Sequence, residues 1–155
     1  MKKQFLYIIV LFAFISCQED VKFNNPAFEG QKDNVFWRAI DAKATLVGGS
    51  LIIEGYTRNE KLTLKTTSTN PGTYFLGTGV LNTVVYVLTD TDGTITFSTG
   101  FGIGEGQIVI TEYDVLNNTI TGTFKFNAAN VYNNPLAGPN LNFQYGHFYK
   151  VPVSN

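Results

Sequence analysis

The chain has a single cysteine, a single histidine, one methionine, one tryptophan and five prolines in 155 residues. One cysteine excludes an internal disulfide framework. One histidine beside one cysteine cannot assemble a zinc or copper site with the usual number of ligands. The histidine, His147, is the only imidazole available to a Ser–His–Asp arrangement, and no Gly-x-Ser-x-Gly turn accompanies it. It reads as a residue of the last strand with ordinary hydrogen bonds. Charge is also sparse, at 15% of residues, and no run of Lys and Arg occurs, which argues against a nucleic-acid interface or a polybasic membrane contact. Beyond residue 17 no fifteen-residue window carries an apolar stripe of helical period. Abundant Thr, Val, Ile, Phe and Tyr favour strands instead.

What the chain does have is a distinctive start. Met1-Lys2-Lys3 is followed by eleven consecutive apolar residues, 5–15, and then by Ser16-Cys17. As a helix that run would cover about 16 Å against a hydrocarbon core of roughly 30 Å, too short to span. A basic start, a short apolar stretch and a small residue are the layout of a secretory signal peptide. The window Phe14-Ile15-Ser16-Cys17 resembles the lipobox of bacterial lipoproteins, with Phe14 where an aliphatic residue is the rule. In that reading residues 1–16 are removed and Cys17 becomes a thioether-lipidated N-terminus. Lipidation also explains a lone cysteine in an exported protein, and two or more acyl chains give a stable anchor. The 139 residues that remain of 155 carry nine basic and twelve acidic side chains, a net of about −3. They are enough for one domain that needs no disulfide.

Residues 17–32 are polar and aperiodic and read as a tether, with the folded domain over 33–155. Residues 61–66 alternate, placing Leu62 and Leu64 on one face, and residues 119–126 place Ile120, Phe124 and Phe126 together. Residues 51–53, 83–88 and 108–110 are apolar on both faces, as central strands are. Asp92-Gly93 predicts a two-residue hairpin loop, and Gly48-Gly49, Arg58-Asn59 and Asn117-Asn118 predict others. Residues 127–134 are the best candidate for a short helical turn. The expectation is an all-β antiparallel sandwich of about eight to ten strands, with a flattened lipocalin-like barrel as the alternative.

Motif chemistry is thin. Asp90-Thr91-Asp92-Gly93 opens like a calcium loop, but the later bidentate glutamate is missing and a hairpin is the better reading. The glycines of residues 100–106 lack dinucleotide-binding spacing and read as a mobile inter-strand loop. Glu105, Glu112 and Asp114 are the carboxylates a glycoside hydrolase would need, with nothing to place two of them across a cleft. No metal or other cofactor is expected. The Asn-rich stretch 127–142 holds a more interesting set. Tyr132 lies outside the alternating strands beside Asn130, Asn133 and Asn134. A planar ring among amides suits sugar binding by stacking and paired hydrogen bonds.

Four phrases carry a family resemblance: Phe23-Asn24-Asn25-Pro26-Ala27-Phe28, Asp33-Asn34-Val35-Phe36-Trp37-Arg38-Ala39, Gly72-Thr73-Tyr74-Phe75-Leu76-Gly77, and Asn142-Phe143-Gln144 through Lys150-Val151-Pro152. Together they resemble an uncharacterised lipoprotein family of the Bacteroidota, domain of unknown function 6252, across nearly all of the mature chain. The resemblance implies a lipoprotein and a β-rich fold, and supplies no activity or site residues. In that bacterial group acidic residues just after the lipidated cysteine mark surface export, and Gln18-Glu19-Asp20 is similar to such a signal. The reading that follows is a non-enzymatic binding or structural module, anchored in the outer membrane through Cys17, with a glycan or envelope protein as partner. A lipocalin-like carrier of an apolar ligand and a carboxylate-dependent hydrolase are the alternatives.

Overall fold

The computed structural model describes residues 26–154, so Cys17, Gln18, Glu19 and Asp20 lie outside the described residues. Eleven strands follow one another without a helix among the described residues. They are β1 (Ala27–Lys32), β2 (Val35–Arg38), β3 (Asp41–Val47), β4 (Ser50–Tyr56), β5 (Glu60–Thr66), β6 (Gly72–Leu76), β7 (Thr83–Asp90), β8 (Gly93–Ser98), β9 (Glu105–Asp114), β10 (Thr119–Asn130) and β11 (Asn140–Ser154). All pair into one sheet in the order β2-β1-β11-β3-β4-β5-β7-β8-β10-β9-β6, with β11 also paired to β10. Every ladder is antiparallel except the short β11–β3 contact, where Val153 and Ser154 run parallel to Ala44 and Thr45.

The long strands β10 and β11 set the architecture. They pair from Thr119↔Pro152 to Ala129↔Asn140. With β1 and β2 beyond β11, and β9 and β6 beyond β10, they form a six-stranded layer. Strands β3, β4, β5, β7 and β8 form a second layer. The far end of β11 joins β3, and the far end of β10 joins β8 through Ala129↔Ser98. The hydrogen-bonded circuit therefore closes on itself, and the fold shares features of a sandwich and of a flattened barrel.

Period-two alternation decides which side chains meet inside. Leu62, Leu64, Ile120, Phe124 and Phe126 are buried, as their strand patterns require. Rings dominate the interior: Phe28 of β1 lies edge-on to Trp37 of β2 at 5.8 Å between centroids and to Phe124 of β10 at 5.3 Å. The layers approach closely where a side chain is missing. A Cβ at Gly55 of β4 would stand 2.3 Å from the ring of Phe28 across the interface.

Several expectations are corrected. Residues 27–32, read as tether, form β1, because Phe28 fills the core and the strand adds to β11. The strand count is eleven; the hairpin β1–β2 at Asp33-Asn34 was hidden in polar sequence, although both residues adopt the positive φ (48° and 66°) that a tight hairpin demands. Residues 127–130, expected to be helical, continue β10, since Ala128 and Asn130 keep the inward alternation of the strand. Of the loop expected over 100–106, residues 100–103 form a hydrogen-bonded turn and Glu105 and Gly106 open β9: Gly100 N donates to Ile103 O at 2.8 Å, and Gly102 N to Gly77 O at 2.9 Å.

The β7–β8 hairpin is shifted by one residue from its expected place. Asp90 pairs with Gly93, so the loop is Thr91-Asp92 and Gly93 opens β8 with φ of 130°. Valine at that φ is strained even though a Cβ there meets nothing within 4 Å. Gly93→Val is expected to cost about 1 kcal/mol or more, read as a lowered urea midpoint. An unchanged midpoint would mean the turn relaxes to accept a side chain.

Candidate functional site

Two polar arrangements stand out, one between the layers and one on the outer surface. The first surrounds Glu60, at the start of β5. Its Oε2 accepts from Trp37 Nε1 at 2.5 Å and Thr57 Oγ1 at 3.1 Å, while Oε1 accepts from Tyr86 Oη at 2.5 Å and from the Lys32 ammonium. Lys32 Nζ also donates to Tyr86 Oη at 2.9 Å. Lys32 and Trp37 come from one layer, Glu60 and Tyr86 from the other, so the carboxylate ties the layers together. Burial alone would raise the pKa of Glu60, but hydrogen bonds from Lys32 and Tyr86, the charge of Lys32 and the Trp37 donor outweigh it and leave it below the usual carboxylate range. Burial and the bond to Glu60 push the Tyr86 phenol well above its ordinary value. A carboxylate that stays ionised with four donors on it is unsuited to act as a general acid or base. This cluster is a structural clamp.

The second arrangement covers the outer face of the six-stranded layer and follows from register. Glu29 pairs with Arg38 and with His147, His147 with Thr123, Thr123 with Val109, and Val109 with Thr73. Along this row His147 Nε2 lies 3.1 Å from Glu29 Oε1. Arg38 Nη1 lies 2.7 Å from Glu29 Oε2 as an ion pair, out of line for a hydrogen bond. His147 is thus a residue of the last strand held by a carboxylate.

The next row contains Phe36, Gln31, Gln144 with Tyr145, Lys125, Gln107 and Phe75, from β2 across to β6. Its rings are exposed: Phe36 by 66%, Tyr145 by 79% and Phe75 by 60%. Tyr145 is presented by a bulge in β11, where its φ is 51° and the register between Phe143 and Gly146 shifts by one residue. Beyond this row, Asn142 Nδ2 donates to Asn127 Oδ1 at 2.6 Å and Asn127 Nδ2 to Glu105 Oε1 at 3.2 Å. Two shallow grooves of about 300 and 430 Å³ run between these rows, and Lys125 and Gln144 line both. Sequence reading missed this face, because its residues are drawn from six strands between positions 29 and 147.

The residues expected to bind a ligand have different surroundings. Asn130 is buried: its Nδ2 donates to the carbonyls of Asn134 (2.9 Å) and Gly138 (3.3 Å), and its Oδ1 accepts from Asn134 N at 3.0 Å. Asn134 donates to Thr94 O at 3.2 Å and accepts from Leu136 N at 2.9 Å. Both amides therefore brace the loop that follows β10. Asn133 turns the chain at a φ of 49°. Tyr132 remains, 77% exposed. The three carboxylates are not gathered into one cleft. Glu105 and Asp114 occupy opposite ends of the ten-residue β9, about 30 Å apart. Asp114 accepts from Leu116 N, Asn117 N and Asn117 Nδ2, at 3.0, 3.1 and 2.6 Å. The Asn117 side chain, followed by backbone donors, holds its carboxyl below the usual range.

Fold and surface together define an all-β domain with a buried aromatic interior and a polar, ring-bearing outer face. The family profile described as Domain of unknown function (DUF6252) matches residues 24–152, and the chain belongs to that family. No curated protein and no solved structure matches the chain.

Proposed function

We propose that the protein is a lipid-anchored module of the outer membrane that binds a partner without catalysing a reaction on it. The observation that carries this reading is the sequence Ser16-Cys17 closing an eleven-residue apolar run. Cys17 lies ten residues before Ala27, the first residue of β1, so the covalent chain reaches at most about 35 Å and keeps the domain beside the bilayer. Two features support a binding role over catalysis. The most enclosed carboxylate, Glu60, is saturated by donors, and Glu105, Glu112 and Asp114 do not share a cleft. The interior positions that a carrier's ligand would occupy hold Phe28, Phe124, Phe126, Phe143 and Phe148, which favours the outer surface as the place of contact. The partner is a glycan or an envelope protein, and the domain faces the exterior if Gln18-Glu19-Asp20 acts as an export signal.

Cys17→Ser is expected to move the protein out of the membrane fraction or to leave an uncleaved precursor. Continued labelling of the variant with a fatty-acid probe would overturn the anchor. Protease shaving of intact cells, beside a periplasmic control protein, then reads the orientation. Cleavage with the control intact supports surface display, and protection until the outer membrane is opened contradicts it.

A further inference from the structure

We infer that the outer face of the six-stranded layer binds a neutral glycan chain laid across the strands, along the row from Phe36 to Phe75. This deepens the binding-module reading and rests on it. Three observations converge. The first is the alternation of rings and polar groups: Tyr145 is flanked by Gln144 and Lys125, with Gln107 and then Phe75 beyond. Ring faces stack on the apolar faces of sugars, and an amide donates and accepts at once, as a pair of neighbouring hydroxyls requires. Among the described residues the side chains of Gln107, Gln144 and Lys125 have no hydrogen-bond or ionic partner in the protein. They are therefore available, unlike Asn130 and Asn134.

The second observation is length. With strands about 4.8 Å apart, Phe36 on β2 and Tyr145 on β11 are separated by about 10 Å, and Tyr145 and Phe75 on β6 by about 14 Å. Three exposed rings over that distance match an extended oligomer better than a single small molecule. The 430 Å³ groove beside Tyr145 is lined from this row by Gln107, Lys125 and Gln144 as well. The third is charge. Glu29 is matched by Arg38, and Lys125 shares the lining of the smaller groove with Glu105, so neither sign prevails. An anionic polymer would find a single unpaired cation in the row, whereas a neutral polyhydroxyl chain needs none.

The test uses the full chain extracted in a polyoxyethylene detergent, which has no sugar headgroup. Native electrophoresis through gels containing dextran, galactomannan, xyloglucan or hydroxyethylcellulose reports retardation by each. Retardation by at least one of them is expected, with affinity about tenfold lower or less in Tyr145→Ala and in Phe75→Ala. Both side chains are exposed, so the variants keep their fold, and an unchanged melting temperature verifies it. Tyr132→Ala is expected to bind as the parent does. Retardation lost in Tyr132→Ala and kept in the other two would overturn the strip while leaving the binding-module reading in place. Absence of retardation by every polysaccharide, with a photo-crosslinker at position 145 joining a protein in intact cells, would overturn the glycan assignment in favour of a protein partner. The anchor itself is judged separately by the Cys17→Ser result.

Discussion

Glu60→Ala should lower the stability of the domain by about 3 kcal/mol at neutral pH, a fall in melting temperature of about 10 °C. The size follows from what is left behind. Removing the carboxylate leaves the Lys32 ammonium without its counter-ion, with Tyr86 Oη still accepting from it, and the Trp37 indole N–H and the Tyr86 O–H without their acceptor, in a site where Glu60 and Lys32 are only 15% and 25% exposed. Unsatisfied donors and an unpaired cation cost more than the intact cluster contributes. The sign can be tested within one protein. Adding Lys32→Met to Glu60→Ala removes the stranded charge, so the double variant should melt above the single one. A double variant that melts lower still would mean that Lys32 contributes by packing and not through Glu60.

The same cluster predicts how stability depends on pH. Glu60 has its pKa lowered in the folded state. Its contribution is complete above the unfolded carboxylate value of about 4.3 and disappears as pH falls through the lower folded value. The gap in stability between the parent and Glu60→Ala should therefore be largest near neutrality and narrow below about pH 4. Chemical denaturation at several pH values measures it, and a gap that widens in acid would contradict the assignment.

The β character and many of the buried positions were legible in the sequence because alternation is a local signal. Leu62, Leu64, Ile120, Phe124 and Phe126 needed only their own strands to be placed inside. The turn at Gly48-Gly49 was legible for the same reason, and both glycines take positive φ, at 56° and 84°. What escaped was information held between strands. Strand β2 has four residues and β1 lies in polar sequence, so local patterning does not mark Asp33-Asn34 as a hairpin, and the pairing of β1 with β11 does. The outer row could not be assembled at all, since it depends on the order β6-β9-β10-β11-β1-β2 and on a bulge that shifts register at Tyr145. Local composition pointed instead to Asn130 and Asn134, whose amides satisfy the backbone of their own loop. Asparagine in an irregular connection has that role open to it wherever carbonyls turn inward.

The glycines inside the strands lead to the other large effect. Gly122 of β10 faces inward, and a Cβ there would lie 2.1 Å from the Val109 carbonyl oxygen and 2.4 Å from the Phe148 ring. The first obstacle is backbone of the neighbouring β9 and cannot rotate away. Gly122→Ala is therefore expected to cost about 3 kcal/mol or more, seen as a lowered denaturation midpoint or loss of soluble protein. Gly146 of β11 offers the comparison, because the three atoms nearest its added Cβ all belong to the Phe124 ring, the closest at 2.5 Å. Gly146→Ala should be the milder of the two, since a ring can tilt where a ladder cannot. Phe148→Leu in the Gly122→Ala background relieves the ring contact but leaves the carbonyl contact, so recovery should be partial. Full recovery would locate the whole penalty in the ring. In that case the close approach of β9 and β10 at Gly122 would be tolerant, and the glycine would serve aromatic packing alone.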